Sequence, residues 1–127
     1  MTATEQRPVV WCIGGSDSGG GAGIQADTLT LHDLGCHACT VVTAITAQNS
    51  VAVEQVAAVA CGLLSSQGQA LLQDMVPQAI KIGLLCNDEQ VGVVIGLINQ
   101  VRERNDQVRV IWDPVQVATT GAKMASV

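Results

Sequence analysis

Val9-Val10-Trp11-Cys12-Ile13 runs into Gly14-Gly15-Ser16-Asp17-Ser18-Gly19-Gly20-Gly21-Ala22-Gly23, and Ile24-Gln25-Ala26-Asp27 then opens a helical pattern. The apolar run reads as a buried strand. Six glycines within ten residues let the backbone pass close to something, because no Cβ stands in the way. A strand, a glycine turn and a helix start form a place where backbone N–H groups converge, which suits a small polar ligand. A tight turn with no ligand is the plain alternative.

Working outward, the chain alternates. Gly23 to about Leu34 reads as a helix closed by Gly35. His37–Thr43 is β-rich and reads as a second strand, with 43–50 as a small, polar loop after it. Val51–Val59 alternates weakly and holds a short extra strand. Gly62 to about Met75 is helical, interrupted in composition by Gly68. Ala79–Ile82 is a strand bounded by Gly83. Asn87 or Asp88 caps a helix to about Arg104, with Val91, Val94, Ile95, Ile98 and Val101 at helical spacing. Val108–Trp112 is a strand stopped by Asp113-Pro114, and 115–127 reads as loop with the start of a further helix. The order β-α-β-(β)-α-β-α-β means βαβ units and a mostly parallel sheet. There is no repeat, linker or low-complexity tract.

The bulk numbers agree. With 127 residues, 48% of them hydrophobic, the chain makes one small domain with a buried core. Phe and Tyr are absent, so the core is built from Val, Ile, Leu and Ala, and no aromatic platform stacks on bases. A net charge of −5 without a basic stripe argues against nucleic acid. It does not forbid phosphate, which backbone amides and a metal bind locally. No secretory leader or stretch of transmembrane length is visible, and the five cysteines read as reduced thiols, so the expected compartment is the cytoplasm. Cys36-His37-Ala38-Cys39, with His32 one turn earlier, has the spacing of two zinc ligands but lacks a second pair to close the site.

The glycine turn fails the nucleotide motifs. No Lys follows it as in a Walker A loop, no register gives G-x-G-x-x-G, and no G-x-S-x-G elbow is present. Ligands of open α/β sheets bind at strand C-terminal ends. The polar residues expected there are Asp17 and Asp27, Gln48 and Asn49, Lys81 and, at the fourth strand, Asp113. Asp27 shares a helix face with Ile24 and Leu31, so its carboxylate needs a partner: a ligand hydroxyl or amine, or alternatively a salt bridge. Asp113 could orient a metal or phosphate, or simply form an Asp-Pro turn.

Taken together, these segments resemble the hydroxymethylpyrimidine/phosphomethylpyrimidine kinases of thiamine biosynthesis, in the ribokinase-like superfamily. The carrying motifs are the stretch from Gly14 to Asp27, then Val42-Thr43-Ala44-Ile45-Thr46-Ala47-Gln48-Asn49, Lys81-Ile82-Gly83-Leu84-Leu85 and Asp113-Pro114-Val115. The resemblance spans nearly the whole chain but only the first half of the family's usual length. It implies a partial ribokinase-like, Rossmann-type three-layer α/β sandwich. Residues 1–127 would be the N-terminal portion of a single kinase domain, truncated. It implies ATP and Mg2+ as cofactors and phosphorylation of 4-amino-5-hydroxymethyl-2-methylpyrimidine and then its monophosphate. Gly15, Ala22, Asp27, Gln48, Leu84 and Val115 would form the pyrimidine pocket. Asp27 and Gln48 would hydrogen-bond the ligand while the others pack on its ring, and Asp113 would be the Mg2+ carboxylate. Leu84 and Gln116 stand where many members have Met; the first swap conserves volume. The family's second glycine turn, its anion hole and its catalytic cysteine have no counterpart here, so this chain supplies no catalytic residue of its own.

A pyridoxal-type kinase fragment and a non-catalytic module that captures a thiamine precursor are the competing readings. A sheet ending near Val127 would expose an apolar edge and face, so marginal stability or self-association, as a homo-oligomer such as a dimer, is expected.

Overall fold

The computed structural model describes residues 6–115 and 121–125. Eight elements follow in order: β1 (Val9–Ser16), α1 (Gly23–Asp33), β2 (His37–Gln48), β3 (Val53–Ala58), α2 (Cys61–Asp74), β4 (Ala79–Ile82), α3 (Asp88–Arg104) and β5 (Arg109–Trp112). They build one sheet in the order β3-β2-β1-β4-β5. β1 pairs in parallel with β2 and β4, and β4 with β5, while β3 runs antiparallel along β2.

The central strand explains the apolar run at the start of the chain. β1 is covered on both sheet faces, so Trp11, Cys12 and Ile13 are fully buried rather than alternating with polar residues. On one face, Leu64 and Leu72 of α2 and Val94, Leu97 and Val101 of α3 close over Trp11, Ile13, Val41 and Ile80. Each fully buried aliphatic side chain of this kind contributes roughly 1.5–3 kcal/mol. The indole Nε1 of Trp11 donates to the Met75 carbonyl at 2.8 Å, which satisfies the core's one large polar handle. α1 packs on β1 and β2. The chain leaves β1 toward β2 and returns on its other side as β4. Right-handed crossovers therefore put α1 on the face opposite α2 and α3, giving three layers.

Local chemistry sets the helix ends. Asn87 caps α3 by accepting from the Gln90 amide at 2.9 Å, with Asp88 and Glu89 in the first turn and Arg102 and Arg104 in the last. α1 closes on Gly35 at φ +82°, where the Gly35 and Cys36 amides donate back to the His32 and Leu31 carbonyls.

Two expectations of the elements need correction. β2 does not stop at Thr43 but continues to Gln48, because β1 on one side and β3 on the other give its small polar residues ladder partners. The helix expected through Gly68 is present, and Gly68 is the point where α2 meets the Leu97 side chain of α3, so that a Cβ there would collide with it. On α3 the expected apolar face holds at Val94 and Val101, which are buried, and at Val91 and Ile98, which pack on the core, but Ile95 is exposed and Gln90 and Leu97 are buried instead. The zinc motif also dissolves. Cys39 points into the core with its thiol 3.6 Å from the Met75 sulfur, and the described residues contain no group of three metal-ligating side chains. None of the five cysteines forms a disulfide. Among the described residues no helix is long and apolar enough to cross a membrane. Gln116 lies outside the described residues.

Candidate functional site

β1 is the strand at which the chain reverses direction across the sheet, and a cavity opens at its C-terminal end. Its volume is about 390 Å3, within the range of small-molecule sites. Gly15, Ala22, Asp27, Gln48, Leu84 and Val115, which come from four separated stretches of sequence, all line it. Asp17, Lys81 and Asp113 line it as well.

The glycine turn is built differently from its sequence reading. Its amides converge, but on the protein's own carboxylate. Asp17 is buried, and its Oδ1 accepts from Gly19 at 2.8 Å while Oδ2 accepts from Gly21 at 3.0 Å and Ala22 at 2.8 Å. The Gly20 amide donates to the Asp17 carbonyl at 3.0 Å. The turn is thus wound around an internal anion, which stabilises its otherwise costly glycine conformations. Gln25, one turn into α1, ties the base of the loop: its Oε1 accepts from the Asp17 amide at 2.7 Å and its Nε2 donates to Ser16 Oγ at 2.8 Å. Gly23 has φ +59°, and a Cβ there would run into the Gly15 carbonyl oxygen, so the turn admits no side chain at that point.

The opposite wall hangs from β2. Ser18 Oγ donates to the Gln48 carbonyl at 2.6 Å and receives the Gln48 amide at 2.8 Å, clipping the glycine turn to the end of β2. Thr46 Oγ donates to the Ser16 carbonyl at 2.7 Å and lies 3.1 Å from Gln48 Oε1, which orients that side chain. The floor is the segment after β4. Buried Thr43 donates to the Leu84 carbonyl at 2.6 Å. Buried Gln90 receives the Cys86 amide at 2.8 Å and donates to the Thr43 and Val59 carbonyls. Leu84 therefore packs beneath the cavity on a fully satisfied polar brace. Its methyl stands 3.0 Å from where a Gly15 Cβ would be, so Gly15 is the residue that fits.

Asp27 meets the partner that its position demanded. Lys81 Nζ lies 3.0 Å from Oδ1 and 2.9 Å from Oδ2, with side-chain exposures of 30% for Lys81 and 20% for Asp27. The salt bridge and the ligand reading are compatible, since each carboxylate oxygen keeps a lone pair toward the cavity. Cys12 lies within reach of this pair: burial first, then the Asp27 charge, push its thiol up from 9.0 to about 11, against the opposing pull of Lys81. Cys12 is thus a neutral packing group. Asp113 is exposed at the rim. Its amide donates to the Ile82 carbonyl and its carbonyl accepts from Val115, so Asp113-Pro114 also performs the turn expected of it.

The described residues do not fit a triphosphate. Four turn amides serve Asp17, and the Lys81 ammonium serves Asp27. Asp113 stands at the rim, and no group of three or more His, Cys, Asp or Glu side chains that could hold a metal ion occurs among the described residues. The cavity lining combines the Asp27, Lys81 and Gln48 side chains with apolar Leu84 and Val115. Sequence reasoning placed Asp17 at the strand end but not inside the loop, and it missed Gln25, Ser18, Thr43 and Gln90. Only the 2.0-residue alternation around Thr43, now part of a longer β2, could have marked any of them as inward-facing.

A mostly parallel sheet with a ligand-sized cavity at its switch point defines an open-sheet α/β protein of the class that binds ligands at strand ends. The family model for phosphomethylpyrimidine kinase matches residues 17–127, and the chain belongs to that family. It is 44% identical over 115 residues to the hydroxymethylpyrimidine/phosphomethylpyrimidine kinase of Synechococcus elongatus, covering 91% of this chain and 42% of that protein. Its fold matches the phosphomethylpyrimidine kinase of Clostridium difficile 630 with a TM-score of 0.79 at 32% identity, over 95% of this chain and 50% of that one. It also matches the Staphylococcus aureus pyridoxal kinase solved with AMP-PCP, with a TM-score of 0.76 at 28% identity, over 91% of this chain and 41% of that one. The chain thus spans half or less of the length of the relatives it matches.

Proposed function

We propose that this chain provides the pyrimidine-binding half of a kinase that phosphorylates 4-amino-5-hydroxymethyl-2-methylpyrimidine and its monophosphate in thiamine biosynthesis, in the cytoplasm, with ATP and Mg2+ as cofactors. The observation that carries this reading is the convergence of Gly15, Ala22, Asp27, Gln48, Leu84 and Val115 on one cavity. Asp27 and Gln48 present polar edges to the ligand, while Leu84 and Val115 pack on its ring. The phosphate cradle, the catalytic cysteine and the nucleotide contacts are supplied by sequence that these residues do not include. Asp113, exposed at the rim, is the carboxylate assigned in this reading to a metal carried in by phosphate. The likeness to a pyridoxal kinase favours a second reading, in which the ring is pyridoxal.

Calorimetric titration of the chain with both alcohols separates the two. Binding of the pyrimidine, weaker binding of pyridoxal and negligible ATP-dependent turnover are expected. Tighter pyridoxal binding would reverse the order, and robust turnover would show that this half suffices. We also infer self-association through β5, whose Ile111 and Trp112 stand 62% and 49% exposed at a sheet edge. Size-exclusion chromatography giving a monodisperse monomer at high concentration would refute that inference.

A further inference from the structure

Lys81 is not among the pocket positions that the resemblance assigns, yet it reaches the cavity from β4 and grips Asp27 of α1. One ammonium covers both carboxylate oxygens, at 3.0 and 2.9 Å. A Cβ on Gly83 would stand 3.4 Å from Nζ, in van der Waals contact with the ammonium. The other ionisable groups nearby are Cys12 on β1, Asp17 at the end of β1 and Asp113 after β5. Cys12 is neutral, the Asp17 carboxylate keeps its charge but is engaged by three turn amides, and Asp113 is exposed to water, which screens it. On the wall that α1 and β4 share, the charges of Asp27 and Lys81 therefore cancel each other.

An aminopyrimidine has a weakly basic ring nitrogen and can enter a site neutral or protonated. A bare carboxylate would select the cation, since an opposite charge within about 4–6 Å moves a titration by roughly 1–3 units. We propose that Lys81 is a specificity-determining residue: by neutralising Asp27 it makes the uncharged ring the ligand of this pocket and turns the protonated ring away. This inference rests on the pyrimidine reading given above.

The test is calorimetric titration of 4-amino-5-hydroxymethyl-2-methylpyrimidine into the chain between about pH 5 and 8, the window in which weak bases of this kind change charge. The wild-type affinity falls by roughly tenfold per pH unit once the free ring protonates, because only the neutral form binds. In Lys81→Met the carboxylate stands alone, and affinity at the acid end rises at least about tenfold above wild type. In the double variant Asp27→Asn, Lys81→Met both charges are gone and the falling, wild-type-like profile returns at lower affinity. A purely structural role for Lys81 would weaken binding equally at every pH. If Lys81→Met fails to fold, Lys81→Gln takes its place, with the same rise in acid-end affinity expected. Wild-type affinity that rises as the ring protonates, or a Lys81→Met profile parallel to wild type, would overturn the inference while leaving the pyrimidine site standing. No binding by wild type at any pH would overturn the pyrimidine reading, and this inference with it.

Discussion

Asp17 and Asp27 stand at the same end of β1 and have opposite fates. Asp17 is sealed: three backbone amides of the glycine turn close on its carboxylate. Asp27 is held by one flexible side chain, and both partners retain access to the cavity. The contrast separates building a wall from meeting a ligand. Backbone donors are fixed by the fold, so the Asp17 cluster cannot exchange partners without unwinding the turn. A lysine ammonium is mobile and can share its carboxylate with an incoming hydroxyl or amine. The glycine turn, which looks in sequence like a cradle for someone else's anion, is occupied by its own.

The largest effect expected from breaking this contrast is on the sealed side. Asp17→Ala leaves three amides without their acceptor and should cost roughly 2–3 kcal/mol of stability, with loss of pyrimidine binding. Urea unfolding measures it; a variant as stable as wild type would show that the turn does not depend on its internal anion. On the open side the order inverts. Asp27→Asn should change stability by at most about 1 kcal/mol, since the ion pair is partly exposed. It should nonetheless weaken pyrimidine binding by roughly tenfold or more, the loss typical of a charged hydrogen bond. Equal losses of stability and affinity would erase the distinction.

A third effect appears only in alkali, outside the range in which the site works. Cys12, near the Asp27–Lys81 pair, keeps its proton in the folded chain up to about pH 11, whereas the unfolded thiol gives it up near its ordinary 9.0. The folded state therefore binds the extra proton between those values. Stability is full below pH 9 and declines as pH rises toward 11, by an amount on the order of 2 kcal/mol. Cys39 and Cys86, also raised by burial, add to the decline in the same direction. Thermal melts of wild type and Cys12→Ala across that window should diverge, with the variant flatter. Parallel curves would place the thiol in a less buried setting.

What could be read from sequence follows from range. β1, α1 and α3 announce themselves through composition, spacing and caps, all local. The end of β2 does not, because Thr-Ala-Ile-Thr-Ala-Gln has the composition of a loop, and only β1 and β3 on its flanks make it a strand. Asp27 and Lys81 were each visible as candidates, but their meeting depends on how β4 lies beside β1 and on where α1 begins. Gln90 was invisible for a related reason. A glutamine in the first turn of a surface-spaced helix looks solvated, yet it braces Thr43, Val59 and Cys86 from full burial. The six pocket positions could be named together only through resemblance, since no local rule connects residues so far apart along the chain.

The most direct test of the central claim is backbone amide chemical-shift mapping while 4-amino-5-hydroxymethyl-2-methylpyrimidine is added. The account predicts saturable shifts concentrated at Gly15, Ala22, Asp27, Gln48, Gly83 and Leu84, around the cavity at the end of β1. Saturable shifts elsewhere on the molecule, or none at all, would contradict it.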